Sequence, residues 1–143
     1  MPMVGAGCYL DTSSLIRLLT PHHPSRQTLV DYLDHADLWD KLYTSKLTQL
    51  VATRVAVRDG NQDLRTQVNL FLEQITVMPI SDDILTRAME IPFHVKSLDA
   101  IHVASAAAAT VVITSDKNMT DVLNKLHQHP EWSAMYRFSD IVG

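Results

Sequence analysis

The run Thr110-Val111-Val112-Ile113-Thr114 is built of β-branched residues and carries no charge, glycine or proline. A strand of that composition sits buried on both faces, which is the habit of parallel sheets covered by helices. It follows directly on Leu98–Ala109, an alanine-rich stretch that predicts a helix. The same alternation recurs along the chain. Apolar strand candidates fall at Met3–Leu10, Leu42–Thr44, Ile75–Ile80 and Met135–Val142, the third ended or placed at a sheet edge by Pro79. Helical patterns separate them. Ser13 or Ser14 is expected to cap a helix running to Leu19, which stops before Pro21. Pro24-Ser25 opens another, with Leu29, Tyr32 and Leu33 facing inward. Ser45 is expected to cap a helix to about Val57, closed by the turn Asp59-Gly60-Asn61, and a further helix covers Asp63–Phe71. Ser81 caps Asp82–Met89, with Asp82 and Asp83 in the first turn where the helix dipole favours acids. A last helix spans Asn118–Leu126, and His127–Ser133 carries no readable pattern. Strands alternating with helices imply an α/β fold with a parallel sheet.

Length and composition limit what such a fold can do. A chain of 143 residues predicts one domain, spanning 1–143. Its hydrophobic share of 46% and charged share of 20% are those of an ordinary globular protein. One cysteine, Cys8, falls in the first apolar run, so no internal disulfide can form and a small core residue is the simplest reading. That, with no basic leader and no apolar stretch near ~18 residues, predicts a cytoplasmic protein with no membrane partner. The net charge of −4 argues against a nucleic-acid coat protein but allows an enzyme that touches nucleic acid through a local patch.

Three acids stand at equivalent junctions. Asp11 ends the first apolar run and opens Asp11-Thr12-Ser13-Ser14-Leu15-Ile16. Asp116 follows the β-branched strand in Thr114-Ser115-Asp116, and Asp99 sits in the first turn of the alanine-rich helix. Open α/β sheets bind ligands at the carboxyl ends of their strands. Each acid alone is equally a turn former or a helix cap. Together they would raise one another's pKa, a penalty that a hard cation removes. Magnesium or manganese accepts such oxygen donors, and the natural chemistry is hydrolysis of a phosphodiester.

These residues resemble the PIN-domain family, most closely the toxin ribonucleases of the VapBC type. The family opening, an apolar strand followed by D-T/S-S-x-L/I, is matched at Asp11–Ile16. The more specific L-D-A-x-H-x-A is matched by Leu98-Asp99-Ala100-Ile101-His102-Val103-Ala104, and T-x-D by Thr114-Ser115-Asp116. The resemblance covers nearly all of 3–140. It implies a three-layer α/β/α fold around a parallel sheet, with Asp11, Asp99 and Asp116 as catalytic and metal-binding acids. It also implies Mg²⁺- or Mn²⁺-dependent RNA cleavage, a homodimer, and inhibition by a small cognate antitoxin. One element departs. The family's second acid is a Glu in S-x-L-x-x-x-E-x-x-R, whereas here Ser45-Lys46-Leu47-Thr48-Gln49-Leu50-Val51-Ala52-Thr53-Arg54 places Val51 there. Valine neither ligates a metal nor accepts a proton. Two functional readings follow: a ribonuclease working with three aspartates, or a catalytically deficient module that binds RNA or a protein.

Other residues have sharper and plainer readings. Ser13 and Thr114 can orient the acids, or simply cap and pack. His102 is expected to be a packed, hydrogen-bonded side chain rather than a general base. His22, His23, His127 and His129 lack the spacing of a zinc site. Lys46, Arg54 and Arg58 can meet RNA phosphates, or form a solvated face. Apolar residues on the helices at 25–36 and 46–58 can frame an antitoxin groove, or be core.

Overall fold

The computed structural model describes residues 7–143, so the Met3–Ala6 part of the first predicted strand lies outside the described residues. Five strands form one sheet: β1 (Gly7–Leu10), β2 (Leu42–Ser45), β3 (Thr76–Met78), β4 (Ala109–Ile113) and β5 (Asp140–Val142). All pairings are parallel and the order is β3-β2-β1-β4-β5. Seven α-helices lie between them: α1 (Thr12–Leu19), α2 (Arg26–His35), α3 (Lys46–Arg58), α4 (Gln62–Leu72), α5 (Asp82–Met89), α6 (Ser97–Ser105) and α7 (Lys117–Gln128).

Side-chain alternation along the strands sorts the helices into two layers. Cys8 and Leu10 of β1, Leu42 of β2, and Val111 and Ile113 of β4 point to one face, where Leu18, Leu29 and Leu33 of α1 and α2 cover them. Leu15, Ala52, Val68 and Leu72 extend that layer beneath α3 and α4. Tyr9, Tyr43 and Val112 point to the other face, against Val103 of α6 and Met119, Val122, Leu123 and Leu126 of α7. The result is a three-layer α/β/α arrangement around a parallel sheet. Cys8 is fully buried, and burial pushes its thiol up to about 12, so it behaves as a core hydrophobe.

Several boundaries differ from expectation, each for a local reason. Asp11, not Ser13 or Ser14, caps α1: its backbone is extended and its carboxylate accepts from the Ser14 amide. Ser45 occupies the N-cap position of α3 but makes no capping bond, because its hydroxyl lies 3.1 Å from that of Tyr9. The alanine-rich helix ends at Ser105, passes through a 3₁₀ turn at Ala106–Ala108 and gives Ala109 to β4. Strand β3 stops before Pro79, which has no amide for the ladder. Strand β5 is shorter than 135–142, since Tyr136 and Phe138 turn into the core instead.

Because β1 lies between β2 and β4, the chain leaves it first toward one side of the sheet and later toward the other. Such a reversal opens a crevice at the strands' carboxyl ends, between β1 and β4. Leu10 and Ile113 are register partners, so the residues that follow them emerge side by side.

Candidate active site at the strand ends

Asp11 leaves β1 at this crevice and is 4% exposed. One carboxylate oxygen accepts from the Ser13 hydroxyl at 2.8 Å and the Ser14 amide at 2.9 Å. The other accepts from the Thr114 hydroxyl at 2.5 Å. Thr114 follows β4, and its Oγ1 also accepts the Asp116 amide at 3.0 Å. The Ser115 amide approaches the Ser13 hydroxyl at 3.4 Å. Ser13 and Thr114 thus flank Asp11 and tie the β1 exit to the β4 exit. Asp116 caps α7, with one oxygen accepting the amides of Asn118 and Met119.

Asp99 comes from a third element. It stands in the first turn of α6, half-buried, and has no hydrogen bond or ion pair among the described residues. Its carboxyl is held above the usual range, chiefly by burial, then by the charge of Asp116, with a smaller push from Asp11, while Lys96 pulls the other way. The charges of Asp116 and Asp11 thus act on Asp99, and Asp11 and Asp116 themselves follow neighbouring strands at one end of the sheet.

The donor set can be tested against a divalent cation. Among the described residues no group of three or more His, Cys, Asp or Glu side chains is placed so that it could hold a metal ion. A carboxylate offers about four lone-pair sites. Asp11 has filled three, Asp116 has one oxygen free of protein donors, and Asp99 has both. Magnesium keeps several waters and takes one or two carboxylates directly. By chemistry alone, the free oxygens of Asp99 and Asp116 suit a hydrated ion that takes one or two carboxylates. They do not suit a dehydrated one.

A buried polar chain underlies the acids that sequence reasoning did not assemble. His102 Nδ1 lies 2.7 Å from the Tyr9 hydroxyl and its Nε2 lies 3.1 Å from that of Thr12. Tyr9 continues to Ser45 at 3.1 Å, joining β1, β2, α1 and α6. Burial lowers the His102 pKa, against an upward pull from Asp11 and Asp116, so the ring is neutral with one donor and one acceptor nitrogen. With both nitrogens engaged, His102 ties the later part of α6 to β1 and α1 and has no free lone pair for a substrate. Thr48, one turn into α3, points its buried hydroxyl at the same Tyr9 without completing a bond. The sequence marked His102 as a packed, hydrogen-bonded side chain, and nothing in it named Tyr9, Thr12 or Ser45 as the partners.

Val51 lines a groove of about 320 Å³ with Leu47, Leu50, Arg54 and Arg58, closed opposite by Leu98, the residue before Asp99. The wall that α3 gives this groove is thus apolar at Leu47, Leu50 and Val51 and cationic at Arg54 and Arg58. Arg58 is fully exposed and pairs with Asp59 at 2.9 Å. Lys46 faces a separate cleft, where its ammonium bonds Gln49 at 3.2 Å. The three cations grouped by helical spacing therefore do not share one surface. Nor do the helices expected to frame a partner groove: a wider depression of about 660 Å³ joins the end of α1, Arg26 at the start of α2, and α4, apart from the groove on α3. Missed by sequence reasoning was a pocket of about 200 Å³ on the far side of Asp99, carrying Lys96 and Lys125.

Known proteins share this architecture. The chain is similar to Ribonuclease VapC47 of Mycobacterium tuberculosis, with 28% identity over 100 residues, covering 69% of this chain and 74% of that protein. Its fold resembles the FitAcB structure from Neisseria gonorrhoeae, with a TM-score of 0.66 at 16% identity over 95% of this chain and 96% of that one. It also resembles DNA-bound VapBC from Salmonella typhimurium, with a TM-score of 0.66 at 14% identity over 81% of this chain and 91% of that one. The family model described as PIN domain matches residues 8–124, and the chain belongs to that family.

Proposed function

We propose that this protein is a VapC-like toxin: an endoribonuclease, dependent on Mg²⁺ or Mn²⁺, that cuts RNA phosphodiesters at Asp11, Asp99 and Asp116. The observation that carries this reading is the side-by-side exit of β1 and β4, where Thr114 binds the Asp11 carboxylate and accepts the Asp116 amide, with Asp99 in the first turn of α6. The likeness to a VapC ribonuclease supports the substrate. The likeness to VapBC and FitAcB structures supports a small antitoxin as partner. A homodimer in the cytoplasm is part of the same reading, and among the described residues no helix is long and apolar enough to cross a membrane.

In this mechanism Asp99 and Asp116 hold the ion, and Asp11 fixes the crevice with its charge. When bound, the cation supplies the positive charge that offsets a phosphodiester's and lets water attack at neutral pH. Ser13 and Thr114 hold the Asp11 carboxylate in place through the hydrogen bonds they donate. Arg54 and Arg58, at the rim of the neighbouring groove, contact the RNA backbone. Lys46, turned into its own cleft, is left with at most a distant phosphate.

Val51 favours a second reading, a module that binds RNA or a partner without cutting. The test is RNA cleavage by the purified protein across a Mn²⁺ titration. Cleavage by wild type that falls on the order of 10²-fold or more in Asp99→Asn supports the first reading. Silence of wild type with cleavage by Val51→Glu selects the second. A genuine activity indifferent to Asp99→Asn refutes the site.

A further inference from the structure

The pocket beside Asp99 lies between the segment that leads into α6 and the outer face of α7. Asn118, Asp121 and Lys125 fall at helical spacing on that face, with Val122 buried behind them. His94, Lys96 and Asp99 form the opposite wall. Lys125 Nζ stands 5.6 Å from the centre of the Phe93 ring, a cation–π contact. Neither Lys96 nor Lys125 makes an ion pair within 4.0 Å among the described residues, although Asp99 and Asp121 share the walls. Lys96 acts on the Asp99 charge from beyond that distance, and both ammonium groups keep their donors for a ligand.

The geometry points to this pocket as the seat of an RNA phosphate adjoining the one at the acids, bound by Lys96, Lys125 and the Asn118 amide. The inference rests on the ribonuclease reading for its ligand, because a strand whose reacting phosphate lies at Asp99 must carry its neighbour past one side of that residue. The Val51 side is a mostly apolar groove with two guanidinium groups at its rim, Arg54 and Arg58, the second already paired with Asp59. The Lys96 side offers two ammonium groups outside any ion pair, plus an amide donor. Asp121 opposes the ligand, so its charge tunes the subsite downward. Phosphate contacts of this kind position a strand without reading its sequence.

The test is fluorescence anisotropy of a single-stranded 12-nucleotide RNA, in EDTA so that binding is separated from cleavage, over a salt series. Lys96→Gln/Lys125→Gln is expected to weaken binding about tenfold and flatten the log–log salt slope by about 1.4, as for two lost contacts to a single strand. Asp121→Asn is expected to tighten binding two- to threefold, a gain that misfolding cannot imitate. Lys41→Gln/Arg65→Gln removes equal charge, at the amino end of β2 and on α4, and should leave affinity within twofold. Unchanged affinity and slope in both pocket variants overturns the subsite, whether or not wild type cuts RNA. Lysine-dependent binding by a wild type that does not cleave with Mn²⁺ upholds the subsite while refuting the enzyme. No RNA binding by wild type overturns both.

Discussion

At the scale of single residues, His102 shows how an apparent catalytic candidate is spent on architecture. Both ring nitrogens are engaged, so its removal strands the Thr12 hydroxyl and deprives Tyr9 of one partner. A buried polar group left without a partner costs ~1–3 kcal/mol. His102→Ala should lower unfolding stability by about that much in urea titrations at pH 8. The deficit should narrow at pH 5. Burial holds the folded ring neutral, while the unfolded imidazole takes a proton below ~6.5. Wild type thus keeps its full margin above that value and loses part of it as pH falls toward the lower folded value. Asp11 and Asp116 face the ring and soften the effect, so a deficit that widened in acid would refute the neutral assignment. The motif that contains His102 was plain in the sequence, but its partners were not. Tyr9 and Ser45 are separated from it by 93 and, through Tyr9, a further 36 positions, a pairing that only the sheet creates.

At the scale of elements, helix ends divide into those with chemical signals and those without. Gly60 takes φ +63 after α3, the left-handed turn that lets Asn61 bond back to Ala56 at 2.9 Å and then cap α4. Space around Gly60 is open, so Gly60→Ala tests the backbone alone and should cost about 1 kcal/mol. Asp37, after α2, adopts φ +54 with a side chain, and Asp37→Gly should recover about half to all of a similar amount. Opposite shifts in denaturant midpoint are expected, and equal ones would dismiss the argument. The Asp59-Gly60-Asn61 turn was legible for this reason, whereas the end of α6 was not. Alanine suits helix, 3₁₀ turn and the first position of β4, so Ala106–Ala109 carried no stop signal and packing decided it. The cap of α1 was misread because a serine and an acid both qualify, and Asp11 stands one position earlier with an extended backbone.

At the scale of the whole molecule, the layers and strand direction were legible because β-branched and alanine-rich runs alternate along the chain. The crevice was legible from the acids that follow β1 and β4, Asp11 and Asp116. The grooves were not, since they depend on which faces of α3, α6 and α7 meet. The proposed ion site has a consequence for the molecule as a unit. A divalent ion that binds only the folded chain stabilises it by ~2.7 kcal/mol at a hundredfold excess over Kd. For a domain of this size that is a rise of several degrees in Tm. Mn²⁺ should therefore raise the melting temperature of wild type, EDTA should reverse the rise, and Asp99→Asn should blunt it. An equal rise in that variant would place the ion elsewhere.

Asp11 and Asp116 are both helix caps, and position 51 is not. The acids thus differ in how freely a chain can part with them. Replacing either cap by alanine withdraws a scaffold contact together with a charge, whereas an exchange at 51 touches only a groove wall. Drift in this molecule has its open door on α3. A version without charge but intact in shape would carry asparagine at 11 and 116, since that side chain caps as well as aspartate.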